Sequence, residues 1–222
     1  MGTVLVLGAS RGIGLEFARQ YRADGARVIA TARDDAGLAR LRELGAEALR
    51  LDVAQPASVS GLAWQLEGER LDIALYVAGV MDRADARTPP TQERFDQLMH
   101  TNVLGAMQAI PQVAPLVQAA GGRFAFISSR MGHIAGVAGS SSWVYRVSKA
   151  ALNMAVASAR HEYPGALFVA LSPGWVSTDM GGAGAPLSPQ ASVSAMRRTL
   201  AALDEAGNGC FLDHDGTPFD GW

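Results

Sequence analysis

The feature that most constrains this chain is the alternation, from one end to the other, of short β-rich apolar runs with longer helical stretches. That rhythm is the pattern of a parallel sheet wrapped by helices. Thr3–Leu7, Arg27–Thr31, Glu47–Leu51, Leu71–Val77, Arg123–Ser128 and Ala166–Leu171 read as strands, with Cys210–Leu212 as a short last one. They are runs of Val, Ile, Leu, Ala and Phe with no strict alternation, as expected of strands covered on both faces. Helices are expected over Gly12–Asp24, through about Leu44, from Pro56 onward, from Thr91 to about Ala119, over Val144–His161 and over Ser188–Asp204. Proline is tolerated in the first turn at Pro56, whereas Pro111 and Pro115 should bend or interrupt the long helix. No linker, repeat or shift in composition divides the 222 residues. Residues 1–222 therefore read as a single α/β domain built on a doubly wound parallel sheet.

Composition excludes several classes of function. Hydrophobic residues make up 49% and charged residues 18%, as in an ordinary globular protein. A formal charge of −2 argues against broad electrostatic binding to nucleic acid or to an acidic membrane surface. Cys210 is the only cysteine, and His100, His133, His161 and His214 are scattered, so no metal site is expected. The apolar run beginning at Thr3 is too short for a signal or transmembrane helix, which points to a cytoplasmic, enzyme-like domain.

The first strand ends in Gly8-Ala9-Ser10-Arg11-Gly12-Ile13-Gly14, directly before a helix. Gly8 permits a tight turn, Gly12 lets backbone approach a pyrophosphate, and Gly14 lets the helix pack closely on the strand. The helix N-terminus offers free N–H groups and the positive end of a dipole to phosphates. A Gly-rich turn of this kind also occurs as plain structure; its place after the first strand favours nucleotide binding.

The Gly-x-x-x-Gly-x-Gly spacing resembles that of the short-chain dehydrogenase/reductase family, which has a Rossmann fold, with Leu7 where the family has threonine. The resemblance implies an NAD(P)-dependent oxidoreductase and assigns further residues. Acidic residues after the second strand select NAD, but this chain has Ala32-Arg33 there and Arg11 in the loop. Guanidinium groups pair with phosphate, so the two arginines favour NADP(H). Asp52 resembles the family aspartate that binds the adenine amino group, with Val53 beside it. Ala78-Gly79 matches the tail of the family's Asn-Asn-Ala-Gly motif, although Tyr76 and Val77 replace the two asparagines. Pro173-Gly174-Trp175-Val176-Ser177-Thr178-Asp179 resembles the segment beside the nicotinamide, where Val176 offers backbone and Thr178 a hydroxyl.

Tyr145 and Lys149 lie four apart on an expected helix, so they share a face. A phenol with an ordinary pKa of ~10 is a poor base at neutral pH. A lysine charge ~4 Å away favours the phenolate by ~4 kcal/mol at an effective dielectric of ~20, or about three pKa units. That would bring Tyr145 into range for general acid/base work. Ser129, three residues before Gly132, matches the family's catalytic serine, and Asn102 its helix-bending asparagine that holds a water leading from the lysine. Ser128 reads as a structural hydroxyl, and no Gly-x-Ser-x-Gly elbow supports a hydrolase. An enoyl reductase of related fold would space tyrosine and lysine seven apart, but position 152 is Leu.

Chemistry at a carbonyl or secondary alcohol is therefore expected, on a small-molecule substrate. The alternative is a non-catalytic NADP-binding sensor of the same fold. Met131, His133, Trp143, Trp175 and Met180 are candidate walls, with a satisfied loop histidine the favoured reading of His133, and Met180–Ser188 reads as a short lid. The tail from Gly209 to Trp222 resembles the C-factor and sniffer-type carbonyl reductases, and the family commonly forms homodimers or homotetramers through its long central helices.

Overall fold

A computed structural model describes residues 2–222; Met1 lies outside the described residues. Seven parallel strands form one sheet: β1 (Thr3–Leu7), β2 (Arg27–Ala32), β3 (Glu47–Arg50), β4 (Ile73–Tyr76), β5 (Arg123–Ile127), β6 (Leu167–Ser172) and β7 (Phe211–Asp213). Their spatial order is β3-β2-β1-β4-β5-β6-β7, so the winding reverses between β1 and β4. In a doubly wound sheet that reversal opens a crevice at the carboxyl ends of the strands.

Both faces of the inner strands are covered, which explains the missing alternation, while the edge strand β3 is only partly buried. Leu5, Leu7, Tyr76, Phe124, Phe126 and Phe168 pack on one side with α3 (Pro56–Ser60), α4 (Leu62–Gln65), α6 (Gly105–Ala120) and α7 (Trp143–Ala159). Val4, Val6, Leu75, Ala125 and Val169 pack on the other with α1 (Gly12–Ala23), α2 (Asp35–Glu43) and α8 (Pro189–Ala202). Ser188 caps α8 by accepting from the Ala191 N–H at 3.1 Å, and Asp34 caps α2 from Gly37 at 2.7 Å.

The long central helix departs from expectation in an informative way. Pro111 and Pro115 do not interrupt it; α6 runs through both. They sit four residues apart on the exposed side, so the carbonyls left without an N–H partner face solvent. The irregularity lies upstream instead. A π-helical turn over His100–Leu104 separates α5 (Gln92–Met99) from α6 and carries Asn102 into the interior, where it is fully buried.

Candidate active site

The nucleotide-binding half is shaped by close backbone approaches. Gly8 and Gly12 have φ of 90° and 55°, which side-chain-bearing residues rarely adopt. A Cβ on Gly14 would collide with the Gly8 carbonyl, so α1 can start this close to β1 only with glycine there. Arg11, at the N-cap of α1, gives no side-chain cap, and no acid occupies the first turn. The first amides of α1, from Gly12, Ile13 and Gly14, thus have no capping side chain and no acid in the first turn to compensate the helix dipole. These observations fit a dinucleotide pyrophosphate.

The other expected contacts lie around the same crevice. Ala78 backs directly onto Gly8, and a Cβ at Gly12 would lie 3.5 Å from the Thr178 Cγ2. Loops after β1, β4 and β6 therefore converge. Thr178 Oγ1 accepts from the Gly181 N–H at 3.2 Å, Ser192 Oγ donates to Pro173 O at 2.7 Å, and Gly174 has φ of 76°. Val176 is buried and forms a parallel bridge with Leu187, which pins the short segment after Asp179. Val53 is buried, and one carboxylate oxygen of Asp52 accepts from the Ala54 N–H at 3.0 Å.

Electrostatics at the end of β2 favour an anion. Asp34 and Asp35 do not neutralise Arg33: the first caps α2 and the second pairs with Arg50. Arg33 is exposed and makes no ion pair among the described residues. Arg11 pairs with Asp179 at 3.0 Å, both side chains largely in solvent. Arg40 was not anticipated. Its Nε donates to Ser10 O at 3.0 Å, which brings its guanidinium to the glycine loop that carries Arg11.

The four residues expected to carry chemistry come together. A Cβ at Gly79 would lie 3.4 Å from Asn102 Oδ1 and 3.5 Å from Lys149 Nζ. Lys149 Nζ sits 5.6 Å from the centroid of the Tyr145 ring. The Ser129 hydroxyl, which accepts from the Met131 N–H at 3.1 Å, lies beside the Tyr145 phenol. The Ser-x-x-Gly spacing has a steric origin: a Cβ on Gly132 would lie 2.8–2.9 Å from Lys149 atoms, so only glycine lets the serine loop rest on α7.

Asn102 is held on three sides. Its Oδ1 accepts from Val80 N–H at 2.8 Å, and its Nδ2 donates to Val80 O and to Ser148 Oγ, each at 2.9 Å. Ser128 is structural, its hydroxyl donating to Asn153 Oδ1 at 2.5 Å. His133 is satisfied away from the site, with Nε2 at 2.7 Å from Asp220 O and its ring 5.1 Å from that of Phe219. Met131 and Trp143 pack beside Tyr145, while Trp175 is 60% exposed and Met180 38%.

The protonation states differ from expectation. Burial pushes the Tyr145 phenol up to about 12, with the Ser129 hydroxyl working against the rise. Lys149, only 3% exposed, is pushed down to about 8 by its own burial. Lys149 donates to the Ile127 carbonyl at 2.8 Å, and in the free protein the loss of water around the phenol outweighs any attraction to the ammonium.

Comparison with known proteins identifies the family. Residues 2–185 match the short chain dehydrogenase family. The chain belongs to that family. A relative, the C-signal of Myxococcus xanthus, is 42% identical over 119 residues, covering 52% of this chain and 72% of that one. A short-chain dehydrogenase/reductase from Burkholderia multivorans, solved with bound NADP, superposes with a TM-score of 0.88 at 31% identity, covering 100% of this chain and 99% of its own. The carbonyl reductase Sniffer of D. melanogaster gives a TM-score of 0.91 at 28% identity over 100% of both chains. Within this short-chain dehydrogenase, no group of His, Cys, Asp and Glu among the described residues is placed to hold a metal. No helix among them is long and apolar enough to cross a membrane.

The lysine supplies a thermodynamic prediction. Its folded pKa of about 8 lies below the ordinary 10.5, so between those values the unfolded chain binds more protons and this group's contribution to stability rises with pH. Below pH 8 its buried charge opposes folding in full. Lys149→Met should stabilise the free protein by about 1–3 kcal/mol at pH 7 in urea melts, with the gain shrinking toward pH 10.5. A variant less stable than wild type at pH 7 would contradict this.

Proposed function

We propose that this chain is an NADP(H)-dependent, carbonyl reductase-like oxidoreductase acting on a small-molecule carbonyl or secondary alcohol, with Tyr145 as the proton-transferring group. The observation that carries the reading is a buried phenol, kept protonated, beside a serine hydroxyl and a buried lysine at the carboxyl edge of the sheet. Gly8, Ser10, Arg11, Gly12, Ile13 and Gly14 would hold the pyrophosphate side of the cofactor. Arg11 and Arg33 would hold its 2′-phosphate; the exposed Arg11–Asp179 pair is worth little and can be exchanged. Asp52 and Val53 would take the adenine, Ala78 and Gly79 the adenosine ribose. Tyr145 and Lys149 would take the nicotinamide ribose, and Pro173, Gly174, Val176 and Thr178 the nicotinamide. When bound, the reduced cofactor supplies a hydride to the carbonyl carbon.

The protein's own residues handle the oxygen. The Ser129 oxygen already accepts from Met131, which leaves its proton to donate to the substrate oxygen and to stabilise charge developing there. Tyr145 then gives its proton to that oxygen, completing the alcohol. The Lys149 ammonium stands beside the phenolate so formed, and Asn102 holds the path by which the phenol is reprotonated. A phenol protonated throughout neutral pH suits reduction better than oxidation. Retention of the whole set also favours an enzyme over a non-catalytic sensor.

Assembly as a homodimer or homotetramer is part of the same proposal. Leu104 at the end of the π turn, Met107 of α6, and Val147 and Met154 of α7 are exposed apolar side chains on the long central helices. Met154→Glu should lower the mass measured by light scattering; an unchanged mass would remove these side chains as the interface.

The test of function is a carbonyl panel run with NADPH and NADH in parallel. Wild type should prefer NADPH, and Arg33→Ala should erode that preference by about tenfold or more. Tyr145→Phe should lose turnover by about two to four orders of magnitude while still binding NADPH. Turnover persisting in that variant would remove the mechanism, and a strong preference for NADH would remove the role of the arginines.

A further inference from the structure

We propose that Tyr76, at the carboxyl end of β4, is a positioning residue for Asn102; the inference rests on the reading of the site given above. Position 76 is where the family motif carries an asparagine, and nothing in the resemblance says what a tyrosine does there. The side chain is almost wholly buried, its ring stacked on Phe126 at 6.1 Å between centroids. Phenylalanine would pack there equally well, so the hydroxyl is what calls for explanation.

That hydroxyl donates to the Thr101 carbonyl at 2.7 Å in a fully buried contact. The Thr101 carbonyl belongs to the peptide plane whose nitrogen is that of Asn102, so the bond fixes the orientation from which the Asn102 side chain departs. It also falls within the π turn of His100–Leu104, where the helical ladder is irregular and an outside donor has most influence. The phenol's pKa is raised further by burial, so at any working pH it remains a donor.

The helix is shaped to receive this group. A Cβ at Gly105 would lie 2.6 Å from the Tyr76 hydroxyl and 2.5 Å from the Val53 carbonyl. Glycine is thus required where the phenol reaches the turn, and the two residues form a matched pair. From there the connections run inward: Asn102 to both polar groups of Val80, Asn102 to Ser148, and Ser148 to the Tyr145 carbonyl at 2.8 Å. Asn102 Oδ1 and Lys149 Nζ flank Gly79. A small rotation of the 101–102 peptide would move Asn102 relative to Lys149 without disturbing the nucleotide cradle around Gly8 to Gly14.

The experiment is Tyr76→Phe, which removes one oxygen and keeps the stacked ring. Ketone reduction with NADPH should show kcat lowered by about tenfold, with the ketone KM and the NADPH Kd each within about twofold. The solvent deuterium isotope effect on kcat should rise, because proton delivery becomes slower. In an Asn102→Ala background the same substitution should have almost no further effect on kcat, since Tyr76 acts through Asn102. An unchanged kcat would overturn the inference. So would a kcat loss that only tracks the folded fraction, or one that persists in full without Asn102. Tyr145→Phe, assayed alongside, separates the two levels: continued turnover there removes the reading of the site itself, and the inference falls with it.

Discussion

Everything at this site depends on keeping a lysine and a tyrosine out of water together. The Lys149 ammonium has one hydrogen-bond acceptor, the Ile127 carbonyl at the end of β5, and it lies over the Tyr145 ring. An ammonium so placed destabilises the free protein unless it deprotonates, and its pKa falls accordingly. The fold tolerates this because α7 is anchored on both sides of the pair. Ser128 ties β5 to Asn153 one turn beyond Lys149, and Gly132 lets the serine loop lie directly on the lysine backbone. Stability given up here is what the proposed catalytic role would call for, since active sites hold unfavourable charge ready for the reaction that uses it.

The parallel sheet supplies the rest of the geometry. With all seven strands pointing one way, the loops after β1, β2, β4, β5 and β6 emerge at one edge. Gly8, Gly14 and Gly132 then act in the same manner, each marking a place where two backbones approach too closely for a side chain. The tail ties down the loop after Ser129: Trp222 O accepts from Ile134 and Ala135, Asp220 O meets His133, and Asp213 pairs with Arg130. His133 therefore braces the loop after Ser129 against the tail, as a satisfied loop histidine.

Much of this was legible in the sequence, for physical reasons that differ by residue. Strands buried on both faces announce themselves as unbroken apolar runs, and the glycine loop by its place between strand and helix. Tyr145 and Lys149 are readable because helical spacing puts them on one face and the acid/base chemistry of the pair gives that spacing meaning. What escaped notice depended on distant neighbours. Nothing local shows that Pro111 and Pro115 face solvent and leave α6 intact, whereas the bend expected at Asn102 from the family resemblance is where the π turn lies. Tyr76 looks like a lost motif until its hydroxyl is seen against Thr101. The direction of the Tyr145 shift was misjudged because a charge four residues away is visible in sequence, whereas the loss of surrounding water is not.

The central claim is that burial keeps Tyr145 protonated, as a donor, in the free protein. Ultraviolet difference titration of wild type against Tyr145→Phe isolates that one phenol. The account predicts that it stays protonated past the ordinary tyrosine value of 10.0 and titrates near pH 12. A step at or below pH 10 would contradict it, and would mean that Lys149 prevails over desolvation.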